Sequence, residues 1–136
     1  MKNAIRYFTK SKKGNTYKLA KVVSEVAGLD ALTVENDLEE KVEQLFLVNA
    51  MYAATIDKEV KRFLERNKDK IGLIINVNSA ASGASTLKAV KKVADKLGIK
   101  VSDKEYHTVA SWIFLNKDRP NEDDLNRLKE FVKEVM

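Results

Sequence analysis

A chain of 136 residues with 44% hydrophobic and 33% charged side chains has the size and balance of one globular domain, which excludes a low-complexity or intrinsically disordered protein. It contains no cysteine, so disulfides, thiolate metal centres and cysteine nucleophiles are excluded by inventory. The net charge of +5, from 25 basic and 20 acidic residues, is small and scattered among helix-like stretches, so no nucleic-acid partner is expected.

The first residues, Met1 to Arg6, run into a short apolar segment without a signal-peptide core, and no apolar stretch is long enough for a membrane span; a cytoplasmic protein is expected. Residues 4–8 read as a first strand buried on both faces. Leu19, Val22, Val23 and Val26 then recur at helical spacing. Residues 31–34 suit a weak edge strand, and residues 44–48 a second fully buried one. Ile56, Val60, Phe63 and Leu64 share a helix face, residues 72–77 form another apolar strand, and Leu87, Val90, Ala94 and Leu97 repeat the helical period. Residues 106–115 supply a fifth strand. Pro120, Asn121 and the acidic Glu122, Asp123 and Asp124 then mark the start of a last helix, whose inner face carries Leu125, Leu128, Phe131, Val132 and Val135.

Alternating strands and helices require right-handed crossovers, which give an α/β fold with a parallel sheet covered by helices on both faces. Five strands fit the order 2-1-3-4-5, in a single domain over residues 1–136. Ligands in such sheets bind beyond the carboxyl ends of the strands, so the chemistry is sought after residues 8, 48 and 77.

The first of these loops, residues 9–16, is rich in hydroxyls, holds one glycine and leads directly into a helix. Hydroxyl and backbone N–H donors, a close-approach glycine and a helix N-terminus together make a phosphate cradle in outline, although the same composition suits an ordinary solvated turn. Gly14 is not followed by Lys and a hydroxyl residue, so there is no Walker A motif. Thr9, Ser11, Gly14, Asn15 and Thr16 match the hydroxyl-x-hydroxyl-Gly-x-Thr pattern that wraps the FMN phosphate in flavodoxins, with Lys12 and Lys13 lengthening the loop. Residues 45–57, with the helix that follows, and residues 114–125 also resemble flavodoxin segments, so the likeness covers nearly the whole chain.

The resemblance implies a flavodoxin-like three-layer sandwich that binds FMN. It places Asn49, Ala50, Met51 and Tyr52 on one side of the flavin ring, and Asn78, Ser79, Ala80, Ala81, Ser82 and Gly83 on the other. Asn49 stands where many relatives carry glycine. Tyr52 offers a flat face to a ring and equally suits a core-capping tyrosine. The lone His107 has no cysteine beside it to make a metal site, and Trp112 sits in an apolar stretch; neither is assigned a role.

A phosphoacceptor receiver domain shares this strand order but needs acidic residues where this chain has Val48-Asn49 and Thr9-Lys10. A serine hydrolase needs an elbow motif and a nearby base, and neither accompanies Ser11, Ser79 or Ser82. The function that the flavodoxin resemblance implies is FMN-dependent electron transfer with redox partner proteins, expected of a monomer or weak dimer. The alternatives are an FMN-dependent oxidoreductase and a cofactor-free interaction module of the same fold. Flavodoxins are typically acidic, so this basic chain is expected to hold its flavin at a less negative low-potential couple.

Overall fold

The computed structural model describes residues 2–10, 14–52, 55–111 and 118–136. Among them the chain alternates as expected: β1 (Asn3–Tyr7), α1 (Asn15–Ala27), β2 (Ala31–Thr33), β3 (Gln44–Ala50), α2 (Lys58–Asn67), β4 (Leu73–Ala80), α3 (Leu87–Leu97), β5 (Lys100–Val101), β6 (Tyr106–Val109) and α4 (Glu122–Val135). The strands form one parallel sheet in the order β2-β1-β3-β4-β5, with β6 also pairing with β4.

The outer strand departs from the expected residues 106–115. It comes in two pieces along the same edge of β4: β5 beside Leu73 and Ile74, then β6 beside residues 77–80. Two residues are too few to produce a period, so β5 leaves no mark in the sequence pattern. The strand ends at Val109, and Trp112 and Phe114, which fell in the expected strand, lie outside the described residues.

Alternation along the strands divides the core into two layers. On β3, Leu45 and Leu47 face α2 and α3 and pack with Phe63, Leu64, Val90 and Ala94. Phe46 and Val48 face the other way, toward α1 and α4, with Leu19, Val23, Leu128 and Val132. Each fully buried large side chain contributes about 1.5–3 kcal/mol. That burial explains why β3 and β4 read as unbroken apolar runs.

Local chemistry sets the element ends. Asp57 caps α2 by accepting from the Glu59 N–H at 2.9 Å. Asn121 and Asp124 form a reciprocal capping box at α4, each side chain accepting from the other's backbone N–H at 2.9 Å. Ahead of β4, a Cβ on Gly72 would stand 2.8 Å from the Glu43 carbonyl, so the chains approach there only because the residue is glycine. The segment after β2 is pinned by cations: Arg6 donates to the Asn36 and Asp37 carbonyls at 2.8 and 3.1 Å, and Lys70 to the Leu38 carbonyl at 2.8 Å.

Candidate functional site

A cleft of about 700 Å³ opens beyond the carboxyl ends of β1, β3, β4 and β6. Its floor at one end is the start of α1, where Gly14, Asn15 and Thr16 meet Thr9 and Lys10 from the end of β1. Gly14 occupies the N-cap, no side-chain hydrogen bond caps it among the described residues, and no acidic residue lies in the first turn. The first N–H groups of α1 are thus free of a competing carboxylate, and the helix dipole favours an anion there.

One wall is Ala50, Met51 and Tyr52, which continue from β3. Tyr52 is half-buried: its ring meets Phe8 edge-on at 6.3 Å, and the Lys10 ammonium lies 4.2 Å from its centroid. Burial pushes its phenol above the usual tyrosine range, against a hydrogen bond to the Lys10 backbone that pulls it down. The backbones of Tyr52 and Thr55 bond reciprocally at 2.8 and 3.0 Å.

The opposite wall is Ser79, Ala80 and Ala81 at the end of β4, closed by Ala110 and Ser111 after β6. Ser111 shares hydrogen bonds of 3.0 to 3.2 Å with the Asn15 side chain, tying the outer loop to the α1 N-terminus. The Ser79 hydroxyl is buried and has no hydrogen-bond partner among the described residues. A buried hydroxyl left unpaired beside a cleft is the kind of group a ligand satisfies.

The structure thus brings Thr9, Gly14, Asn15, Thr16, Ala50, Met51, Tyr52, Ser79 and Ala80 together, while Ser11, with Lys12 and Lys13, lies outside the described residues. Asn49, Asn78 and Gly83 do not line the cleft, contrary to expectation. Strand alternation turns Asn49 and Asn78 into the α2–α3 layer. There, Asn49 Nδ2 donates to Asn76 Oδ1 at 2.8 Å, Thr86 Oγ1 donates to Asn49 Oδ1 at 2.7 Å, and Asn78 Oδ1 accepts from the Thr86 N–H at 3.1 Å. Asn78 Nδ2 closes the set on the Ala84 carbonyl at 3.0 Å. Gly83 instead shapes the loop: its φ is +79°, and its carbonyl takes a 2.8 Å hydrogen bond from His107 Nδ1. His107, left without a role by the sequence, therefore joins β6 to this loop.

Lys10, Ala110 and Ser111 were not singled out from the sequence. The signal for Ser111 was a polar residue interrupting the outer apolar run, which ends the strand and places the residue in a carboxyl-end loop. Among the described residues, no group of three or more His, Cys, Asp or Glu is placed to hold a metal. No described helix is long and apolar enough to cross a membrane.

No family model matches the chain. An uncharacterised protein of Methanocaldococcus jannaschii is 29% identical over 139 residues, covering 90% of each chain. A flavodoxin from the domain Archaea superposes with a TM-score of 0.72 over 99% of this chain and 96% of its own, at 13% identity. The fold is flavodoxin-like. Oxidised flavodoxin 1 of Bacillus cereus gives a TM-score of 0.69 at 15% identity, over 97% of this chain and 95% of its own. An NADH:FMN oxidoreductase in its apo form gives 0.65 at 14%, over 98% and 88%. In this flavodoxin-like sheet, the cleft stands at the switch point between β1 and β3, where the topology leaves a crevice between diverging connections.

Proposed function

We propose that this chain binds FMN in the cleft and serves as an electron carrier between redox partner proteins. The observation that carries the reading is the convergence of the glycine-capped α1 N-terminus with a slot walled by Tyr52 and by small residues at the ends of β4 and β6. The first suits a phosphate monoester and the second a planar ring. The unpartnered Ser79 hydroxyl supports the fit, because a heteroatom on the ring's edge would supply its missing hydrogen bond.

Bound FMN supplies the redox chemistry, and the chain's residues bind it, orient it and exclude water. Among the described residues, Lys10 and Tyr52 are the titratable groups on the cleft wall, with no carboxylate or imidazole for proton transfer to a substrate. A cofactor-free interaction module is the second reading, favoured by the Lys10 ammonium already over the Tyr52 ring.

A fluorescence titration with FMN and with riboflavin separates these readings. An FMN affinity at least about tenfold above that of riboflavin supports a phosphate held at α1. Equal affinities sink the cradle, and no binding of either supports the module.

A further inference from the structure

The two helical layers differ in charge. α2 and α3 together carry eight basic and three acidic residues, whereas α1 and α4 carry five basic and six acidic. The excess is concentrated in a groove between α2 and α3, of about 770 Å³. Lys88, Lys92 and Lys96 recur every four residues along α3 as one exposed row, and Lys61 stands across from them on α2 with a single carboxylate, Glu65. Among the described residues none of these five side chains has an ion-pair partner, whereas Lys91, off the groove, is paired with Asp103 at 2.6 Å.

Inside the lysine row runs a second one, Ala89, Val93 and Leu97, half-buried against the core. Like charges four residues apart destabilise a helix, so the isolated fold gains nothing from this row. An apolar stripe flanked by cations at helical spacing complements a helix with an apolar stripe flanked by anions.

We propose that the α2–α3 groove docks an acidic amphipathic helix of a partner protein. The rows span about 12 Å along α3, enough to face a little over two turns of such a helix. At its upper end the groove includes Thr55, whose backbone is paired with that of Tyr52 on the cleft wall. A partner seated there lies beside the proposed cofactor site with charge opposite to the groove's own. That the partner exchanges electrons rests on the FMN reading; the recognition chemistry of the groove does not.

The test is an amide chemical-shift titration of the isotopically labelled full chain, without FMN, so that a failure of flavin binding leaves the result intact. The probe is a helical peptide of about 14 residues with a leucine stripe flanked by glutamates; its controls are the same peptide with lysines for glutamates and a short DNA duplex. The expected result is shifts concentrated on α2, α3 and Thr55 with the acidic peptide alone. Affinity should fall about tenfold or more when Lys88→Glu, Lys92→Glu and Lys96→Glu are combined. These positions are exposed and have no ion-pair partner among the described residues, so the fold is retained, which the unshifted α1 and α4 amides verify. Shifts elsewhere, no shifts, or unchanged affinity in the triple variant overturn the proposal. Tighter binding of DNA overturns it in favour of a general polyanion surface. Groove shifts on concentrating the protein alone overturn it in favour of a second copy as occupant.

Discussion

Asn49 on β3 reaches across to Asn76 on β4, its Nδ2 donating to Asn76 Oδ1 at 2.8 Å in the buried layer beneath α3. Thr86 completes the link, so two core strands and the start of α3 share one set of hydrogen bonds. Each member satisfies another, and the loop that follows the Ser79–Ala81 wall is thereby tied to the sheet through Ala84 and Thr86.

Asn49→Ala should destabilise the fold by about 2 kcal/mol, because Asn76 and Thr86 lose buried hydrogen-bond partners. Denaturant unfolding checks this: the midpoint should fall with the slope unchanged. A midpoint within error of the parent contradicts a structural role for the network.

Ser79→Ala should act in the opposite sense on the free protein. Removing a buried hydroxyl without a partner relieves a desolvation cost, so the ligand-free protein should gain up to about 1 kcal/mol while flavin affinity falls. Paired unfolding and titration experiments read both effects. A loss of stability shows that the hydroxyl is already satisfied in the free protein.

Asp124 provides the pH-dependent element. Burial pushes its carboxyl up, but Arg119 at 2.5 and 2.8 Å and the Asn121 N–H at 2.9 Å outweigh burial and hold it below the usual carboxylate range. Its contribution is therefore full above the unfolded value of about 3.9 and is lost as the pH falls through the lower folded value. Asp124→Asn should cost about 2 kcal/mol at neutral pH and progressively less below about pH 4. Unfolding curves at several pH values check this, and a penalty that does not change with pH contradicts the ion-pair account.

The alternation of elements was legible in the sequence because β1, β3 and β4 are buried on both faces and α1 to α4 on one. That difference is what makes apolar runs and helical periods distinct. The start of α4 was legible for a local reason, its Asn121–Asp124 cap. The cleft was legible in the residues that follow the strands, Thr9, Gly14, Thr16 and Tyr52. The placement of the Asn49 and Asn78 side chains away from the cleft follows from the strand period of two, which sends Leu47 and Asn49 to the same face. Nothing local marks Thr86, ten residues beyond Asn76, as their partner. The role of His107 likewise depends on a bond to Gly83 that only the tertiary fold creates.

The charge balance has a redox consequence. With Lys10 on the cleft wall and a net charge of +5, added negative charge on a bound flavin is opposed less than in an acidic flavodoxin. Potentiometry of the FMN-loaded protein should give a less negative low-potential couple than acidic flavodoxins, and the gap should narrow as salt screens the lysines. A couple as negative as theirs contradicts this.

The most direct test of the account is the visible absorption spectrum of the purified protein, taken before and after adding FMN and removing the excess by gel filtration. The account predicts flavin bands retained at close to one FMN per chain, whereas a colourless protein after filtration contradicts an FMN site in the cleft.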